Sequence, residues 1–267
     1  MTAPVATPTN SYVLDQSWYA ERDRLRSLTD LYDPTSLQLC EGLGLADGWA
    51  CLDVGAGTGS LAELLADRIG ERGQVVATDI DIRFLQAIEG PNVEVLPLDI
   101  TKEPPPRADF DLVHARLLLE HLPQRDDILL VLSLLVRPGG VLLIEDFDWA
   151  TATMFDPDSR VGSTVAEAVR TLMMRGGYEP HFGRRLPRAL SAAGLVDVQT
   201  HAQAMQVRGD RARGIPQWQL LVEQLTPQLL SYELVSQADL DEFNALCHDE
   251  DVVCFAPLMV SVSGRRP

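Results

Sequence analysis

The sequence predicts an α/β fold: a doubly wound, seven-stranded, mostly parallel sheet with N-terminal cover helices and late helical insertions. Between residue 49 and about residue 149, short apolar runs alternate with helical patterns, as they do in such sheets. A glycine-rich turn joins the first apolar run to the first helical pattern. Later in the chain, 195–207 and 255–262 are predicted as strands six and seven, with helices before and between them.

The most informative segment is CLDVGAGTGS, residues 51–60, which predicts a buried strand, a tight turn and a helix start. Glycine at every second position, Gly55, Gly57 and Gly59, lets the backbone turn sharply and lets a ligand approach where a Cβ would clash. The free N–H groups of the following helix favour negative charge. Such loops serve dinucleotides and other nucleosides, so the loop alone leaves both open.

Asp53 favours one of these ligand classes. A carboxylate two residues before Gly55 would repel a pyrophosphate, but it suits a ligand that carries an ammonium and a sulfonium. The spacing is also Gly-x-Gly-x-Gly and not the Gly-x-Gly-x-x-Gly of dinucleotide folds. The segment resembles the first motif of class I S-adenosylmethionine-dependent methyltransferases, acid-x-Gly-x-Gly-x-Gly. The resemblance implies that S-adenosyl-L-methionine contacts Asp53, Gly55, Ala56, Gly57, Thr58 and Gly59.

Asp79 ends the β-rich run 74–79, twenty residues after Gly59, near the spacing of about 20 at which an acid meets a ribose. The resemblance implies that Asp79 accepts both ribose hydroxyls and that Ile80 lies against the adenine. Asp81 is a weaker candidate for the ribose. The structural alternative is that Asp79 caps a helix beginning near Ile82.

Three later strands continue the resemblance. At the end of the third strand, 93–100, Asp99 is expected to bond the adenine amino group and Ile100 to pack on the ring. The end of the fourth, 110–116, borders the methionine part of the cofactor in the family. It therefore places His114, Ala115 and Arg116 beside the cofactor. The fifth strand, 141–146, follows a Pro-Gly-Gly turn, and the family fold closes with a late antiparallel hairpin.

The remaining segments are predicted to surround this core. Residues 1–14 form a flexible leader, and 15–267 form a single domain: N-terminal cover helices (15–48), a cofactor-binding core (49–150), substrate-cover helices with strand six (151–253) and the last strand (254–267). The first helices are expected at 15–31 and 35–43. Tyr12, Trp18 and Tyr19 are candidate aromatics of a lid, with Tyr19 beside the cofactor; ordinary packing is the alternative for Trp18.

Three residues are candidates for catalysis. Methyl transfer from a sulfonium is an in-line substitution, so the enzyme mainly aligns the acceptor and excludes water. His181 lies in a glycine-rich segment and is a candidate base or substrate contact. His114 is a base or a hydrogen-bonded neighbour of the cofactor, and Asp146 is a proton acceptor or a cap. Glu120 and His121 belong to a helix stretch that is usually structural in the resembled family.

Composition limits the partners. The formal net charge of −17 argues against nucleic-acid binding, which relies on phosphate neutralisation by Lys and Arg. The sequence contains no run of about 18 apolar residues, so it predicts no membrane span. Four cysteines without Cys-x-x-Cys spacing predict neither a metal site nor a redox pair, and they are consistent with the cytoplasm. A monomer or homodimer is expected.

The resemblance therefore predicts methyl transfer from S-adenosylmethionine to the oxygen, nitrogen or carbon of a small molecule, such as one of secondary metabolism. S-adenosyl-L-homocysteine is the expected product. Two alternatives stay open at this point. A protein of this fold can bind the cofactor yet catalyse a non-methylating step or act as a scaffold. An NAD-dependent oxidoreductase is disfavoured by Asp53 and by the glycine spacing.

Overall fold

The computed structural model describes residues 13–88 and 90–267. Its strands are β1 (Ala50–Val54), β2 (Gln74–Asp79), β3 (Val93–Pro97), β4 (Phe110–Arg116), β5 (Val136–Asp148), β6 (Phe155–Asp156), β7 (Val196–Gln203), β8 (Gln206–Arg208), β9 (Val253–Phe255) and β10 (Leu258–Arg265). Seven of them form one sheet in the order β3-β2-β1-β4-β5-β10-β7. β10 runs antiparallel to both neighbours, and the other paired strands are parallel. The predicted fold class is confirmed.

Seven α-helices cover this sheet within the described residues. They are α1 (Glu21–Gly42), α2 (Ser60–Ile69), α3 (Arg125–Leu135), α4 (Arg160–Arg175), α5 (Phe182–Ala192), α6 (Pro216–Ser231) and α7 (Gln237–Cys247). Alternate residues of β1 enter different apolar cores: Cys51 packs with α2 on one face, and Leu52 packs with α3 and α5 on the other. Burial on both faces explains why the central strands are largely apolar. A third core joins α4, α6 and α7.

The sheet order places the reversal of the chain between β1 and β4, which are hydrogen-bonded neighbours. In open α/β sheets, ligands bind outside the carboxyl ends of the strands at this switch point. The glycine turn after β1 and the residues that follow β2 and β4 therefore share one edge of the sheet.

The N-terminal helices differ from the prediction. One helix, α1, replaces the two expected at 15–31 and 35–43, and it continues through Pro34. Although proline removes a helical hydrogen bond, the turn around Pro34 is anchored to the sheet. Asp33 and Ser36 accept bonds from the Arg116 guanidinium of β4 at 2.5 and 2.8 Å. Tertiary contacts thus hold together a helix that local propensity would divide.

The two late strands are each divided in the structure. The run predicted as 195–207 becomes β7 and β8, and the run predicted as 255–262 becomes β10, preceded by β9. Pro257 lies in the break between β9 and β10. The two breaks face each other, because Ala256 N–H donates to the Met205 carbonyl at 2.9 Å. The short strands leave the main sheet and form a second one, β6-β9-β8.

Two other boundaries also move. The third strand ends at Pro97 and not at residue 100: Leu98 N–H donates the last bond to β2, at 2.9 Å from the Asp79 carbonyl, and Asp99 then begins a turn closed by Lys102 N–H. The helix expected near Ile82 is a single 3₁₀ turn, Leu85–Ala87. The leader prediction falls mostly on residues 1–12, and Tyr12 with it, so both lie outside the described residues.

Candidate active site

A cavity of about 350 Å³ opens at the switch point, between the sheet edge and the cover helices. Its floor is formed by the glycine turn and by residues that follow β2, β3 and β4. Its roof comes from α1, α4 and α6, chiefly Leu25, Leu28, Met173, Gln217 and Leu221. One continuous space therefore joins the predicted cofactor residues to the cover helices.

The glycine turn uses backbone conformations that favour glycine. The φ angles of Gly55, Gly57 and Gly59 are 72°, 59° and 79°. A Cβ on Gly59 would lie 2.3 Å from the Cδ1 of Ile88, whereas one on Gly57 would meet nothing closer than Leu25 at 3.9 Å. Gly59 is thus needed for packing under the loop, while Gly57 faces the cavity side.

Asp79 is held in place by the backbone around it. Its Oδ2 accepts Gly57 N–H at 2.9 Å, and its Oδ1 accepts Asp81 N–H at 3.0 Å. Burial raises the pKa of this carboxyl above its usual value, although the two backbone hydrogen bonds oppose the rise. The next residue, Ile80, lines the cavity with 58% of its surface exposed. Asp81, the weaker candidate, is paired with Arg83.

Asp99 and Ile100 also line the cavity, after β3. Asp99 accepts bonds from the Thr101 hydroxyl at 2.6 Å and from the Lys102 ammonium at 2.8 Å. The Lys102 and Thr101 contacts lower the pKa of Asp99. Ile100 and Leu98 supply apolar surface beside Asp99.

His114 lies buried between two carboxylates. Its Nδ1 is 2.7 Å from Asp53 Oδ1, and its Nε2 is 3.0 Å from Glu145 Oε1. Burial alone would lower the pKa of His114, but hydrogen bonds to Asp53 and Glu145 raise it to about 9. Burial would raise the pKa of Glu145, but the bond to His114 lowers it to about 2. A doubly hydrogen-bonded imidazolium does not have a lone pair to act as a base.

Beyond Arg116 the chain turns sharply into the cavity. Leu117 has a φ of 52°, a left-handed conformation that is rare for leucine, and a 3₁₀ turn (Leu119–His121) follows. Glu120 and His121 thereby line the cavity together with Tyr178. The aromatic rings of His121 and Tyr178 lie 4.8 Å apart between centroids. We call Glu120, His121, Tyr178 and Trp149 the polar end of the cavity.

Two groups of the polar end have displaced pKa values. Glu120 Oε2 accepts Phe147 N–H at 2.7 Å, and burial raises the pKa of Glu120 to about 8. Burial and the nearby positive charges of Arg24 and Arg125 lower the pKa of His121 to about 3, so His121 is neutral near pH 7. The Tyr178 hydroxyl accepts the Trp149 indole N–H at 2.6 Å.

Several predicted residues lie outside the cavity. Tyr19 is 81% exposed, donates to Glu223 and does not line the cavity, so its role as a lid aromatic stays a prediction. His181 does not line the cavity; its Nδ1 lies 2.9 Å from Asp148 Oδ1, and Arg184 binds the same carboxylate. Trp18 makes an edge contact with Tyr19. Gly59 and Ala115 support the site from behind it.

Asp146 is buried behind the polar end and does not line the cavity. Its Oδ1 accepts Leu118 N–H at 3.1 Å, while its Oδ2 has no hydrogen-bond partner among the described residues. Burial, reinforced by the charge of Glu120, raises the pKa of Asp146 well above its usual value. Asp146 and Glu120 thus lie in the same buried surroundings, and the negative charge of Glu120 disfavours ionisation of Asp146.

Sequence reasoning missed most of the polar end. Glu120 and His121 were assigned to a structural helix stretch, although their position just after a predicted strand end is the signal that places them. Tyr178 lies three residues before His181 in the same glycine-rich segment, but it is not among the predicted site residues. Trp149 directly follows β5, so its place at a strand end is the signal for it, whereas nothing in the local sequence marks Met173, which the docking of α4 brings to the cavity.

Within the described residues, no group of three or more His, Cys, Asp or Glu side chains could hold a metal ion. The described helices include none that is both long and apolar enough to cross a membrane.

Comparisons with known proteins agree with this architecture. Residues 52–142 match the model of a family described as a methyltransferase domain. Methyltransferase str2 of Strobilurus tenacellus is 34% identical over 145 residues, which cover 53% of this chain and 51% of that protein. The ubiquinone/menaquinone biosynthesis C-methyltransferase UbiE of Laribacter hongkongensis is 34% identical over 110 residues, 39% of this chain and 45% of its own. The chain thus spans about half the length of the curated relatives it matches.

A solved structure extends the likeness of the fold. Phosphoethanolamine N-methyltransferase 2 of Haemonchus contortus, in complex with phosphomonomethylethanolamine and S-adenosylhomocysteine, superposes with a TM-score of 0.53 at 16% identity. The match covers 97% of this chain and 55% of that one. Residues 52–142 are thus similar to a methyltransferase domain, and the strand order of the sheet agrees with that likeness.

Proposed function

We propose that this protein transfers a methyl group from S-adenosylmethionine to a small, largely apolar acceptor and releases S-adenosylhomocysteine. The observation that carries the proposal is the single cavity that joins the glycine turn, Asp53 and Asp79 to the polar end. A site for a nucleoside and a site for a second molecule are thereby in contact.

The residues at the floor of the cavity fit the cofactor. Asp79 is buried and fixed by two backbone bonds, and each of its oxygens keeps a further lone pair for a ribose hydroxyl. Ile80 and Ile100 offer apolar surface to an adenine. Asp53 supplies a carboxylate for an ammonium. This donor set matches a diol, an aromatic base and a positive charge.

The charges of the cavity favour a neutral or cationic acceptor. The arginines among the described lining residues are already in ion pairs: Arg24 bonds Glu21 twice at 2.7 Å, and Arg116 bonds Asp33. A phosphate or carboxylate would therefore compete with existing partners. Apolar side chains of Leu117, Leu118, Leu122, Phe147, Trp149, Met173 and Leu221 form much of the remaining wall. The name of the UbiE relative, a ubiquinone/menaquinone biosynthesis C-methyltransferase, also supports a small-molecule acceptor.

When bound, the cofactor supplies a methyl group already activated by its sulfonium. The chain's own residues then orient the acceptor and exclude water. Neutral His121 and the Tyr178 hydroxyl can hydrogen-bond a hydroxyl or amine. Glu120 can accept the departing proton, because its raised pKa of about 8 lies close to neutral pH. His181 stays a predicted base, but its place outside the cavity favours Glu120.

The test combines binding and turnover. Calorimetry should show S-adenosylmethionine and S-adenosylhomocysteine binding to the purified chain. Incubation with methyl-labelled S-adenosylmethionine and a panel of phenols, hydroquinones and amines should give acceptor-dependent label transfer. Absence of cofactor binding would refute the proposal. Binding without transfer to any acceptor of the panel would favour the non-methylating alternative.

A further inference from the structure

Four buried polar side chains cross the sheet in one row: Asp53 on β1, His114 on β4, Glu145 on β5 and Ser261 on β10. Asp53 lies opposite His114 in the strand register, and Glu145 lies opposite Ser261. Residues paired in this way point to the same face of the sheet. We call these four residues the carboxylate–histidine row. A continuous polar row is unusual in the centre of an otherwise apolar sheet.

The hydrogen bonds of the row require a positive histidine. Both ring nitrogens of His114 face carboxylate oxygens, at 2.7 Å for Asp53 and 3.0 Å for Glu145. An ionised carboxylate can only accept, so both nitrogens must donate, and a doubly donating imidazole is the imidazolium. Ser261 Oγ donates to the other oxygen of Glu145 at 2.5 Å. The geometry thus holds the ring and its charge in one orientation.

The end of the row at Asp53 is open to the cavity. Asp53 Oδ1 accepts from His114, whereas Oδ2 accepts no hydrogen bond from any described residue. Asp53 lines the cavity beside the glycine turn. With one imidazolium between two carboxylates, the row carries one negative charge that its own members do not neutralise.

Other charged groups around the row are already engaged. On β4, Arg116 adds positive charge near Glu145, but its guanidinium is bonded to Asp33 and Ser36 of α1. Also on α1, the Cys40 thiol faces Glu145 and Asp53, and burial raises its pKa well above the usual value, so it stays neutral. The remaining charge of the row therefore faces the cavity.

We propose that His114 is a positioning residue for the cofactor: as a fixed double donor, it orients Asp53 so that the open Oδ2 accepts the amino group of the methionine part. This inference rests on the proposed function. It assigns His114 no role as a base, because both of its nitrogens already carry hydrogens. It also gives a reason for the buried Glu145: although remote from the glycine turn, Glu145 binds the same imidazole as Asp53.

The test compares two ligands that differ at one end. S-adenosylhomocysteine carries the amino acid part, whereas 5′-methylthioadenosine has the same nucleoside without it. By calorimetry, His114→Gln should weaken S-adenosylhomocysteine at least tenfold, in line with the loss of a charged hydrogen bond. The affinity for 5′-methylthioadenosine should stay within about twofold. His201→Asn is the matched control, because His201 lies opposite Ser261 but is exposed on β7.

The outcomes separate this inference from the proposed function. Equal losses for both ligands in His114→Gln would mean a merely structural role and would overturn the inference. An unchanged affinity for S-adenosylhomocysteine would overturn it as well. If the wild-type chain binds neither ligand, the proposed function itself fails.

A second variant covers the case in which His114→Gln does not fold. Glu145→Gln keeps the Asp53–His114 bond but removes one partner that holds the proton. Its affinity for S-adenosylhomocysteine should weaken between about pH 6 and pH 8, whereas the wild-type affinity should stay flat. Nitrogen-15 NMR of histidine should show both His114 nitrogens protonated at pH 7 in the wild type. A neutral ring, or a flat profile in Glu145→Gln, would contradict the inference.

Discussion

The two halves of the cavity differ in how their residues reach it. On the floor, Asp53, Asp79 and Asp99 each follow or end a parallel strand, and all three line the cavity. On the roof, Tyr19 and His181 were expected at the site and lie outside it, whereas Met173 and Gln217 line it without any motif. Carboxyl ends of parallel strands converge, so chain position there defines position in space. For a docked helix, the packing of its apolar face decides which residues point to the cavity, so position along the chain does not.

Three histidines show the same difference at the level of single side chains. His114, between two carboxylates, has a pKa raised to about 9. His121, seven residues later, is buried near two arginines, and its pKa is lowered to about 3. His181 is partly exposed beside Asp148. Residue type alone would assign these side chains the same chemistry, but their neighbours charge His114 and leave His121 neutral.

The largest expected effect tests whether the base is Glu120, at the polar end, or His181, outside the cavity. With any acceptor that is turned over, Glu120→Gln should lower turnover by about 10²–10⁴-fold, the usual range for acid–base catalysis. Turnover of the wild type should rise with pH through about 8, because Glu120 must be ionised to accept the proton. His181→Asn is the control and should change turnover by less than about twofold. A large loss in His181→Asn with normal turnover in Glu120→Gln would reverse this assignment.

Two glycines of the floor should separate folding from binding. Gly59→Val places a side chain against Ile88 and Leu85 at a positive φ, and it should destabilise the fold by roughly 2–4 kcal/mol. Gly57→Ala meets only backbone strain, about 1–2 kcal/mol, and should fold while losing cofactor affinity. Thermal unfolding and calorimetry check both variants. Full binding by Gly57→Ala would place the ligand elsewhere.

The carboxylate–histidine row should make stability depend on pH in the alkaline range. Because the folded pKa of His114 is raised to about 9, its stabilising contribution is complete below the unfolded value of about 6.5. That contribution is lost as pH rises through about 9. Chemical denaturation should show the free energy of unfolding falling by roughly 2 kcal/mol between pH 7 and pH 10. In Glu145→Gln the fall should shift to lower pH; an identical curve would exclude His114 as its source.

The smallest effect distinguishes the two acids after β2. Asp79→Ala should lower the affinity for S-adenosylhomocysteine at least tenfold, since it removes charge-assisted bonds to the ribose. Asp81→Ala should change the affinity by less than about threefold, because Asp81 is occupied by Arg83. Calorimetry on both variants measures the difference. Equal affinities in the two variants would contradict the assignment of Asp79 as the residue that binds the ribose.

The predicted core of the fold is confirmed because its signals are local. Apolar runs and the glycine turn occur at the expected places, and the sheet order agrees with the resemblance. The predicted Pro-Gly-Gly turn is instead part of β5, where the register with β4 is irregular. Boundaries were predicted less well wherever a tertiary contact overrode propensity. The helix through Pro34 depends on Arg116, and the break near Pro257 depends on pairing with the segment around Met205. The division of 15–267 into functional segments stays a prediction.

The sequence by itself determined the strands, the turn and the acids at the strand ends, because short-range periodicity and glycine conformation specify them. Only the tertiary structure decided which residues complete the site. Glu145 and Ser261 are 116 residues apart in the chain, yet they lie opposite each other on the paired strands β5 and β10. Ser261 binds Glu145, and Glu145 in turn holds His114 in place. The polar end likewise depends on α4 and the segment after it docking over the turn that follows β4. These contacts join distant parts of the chain, so no local pattern could specify them.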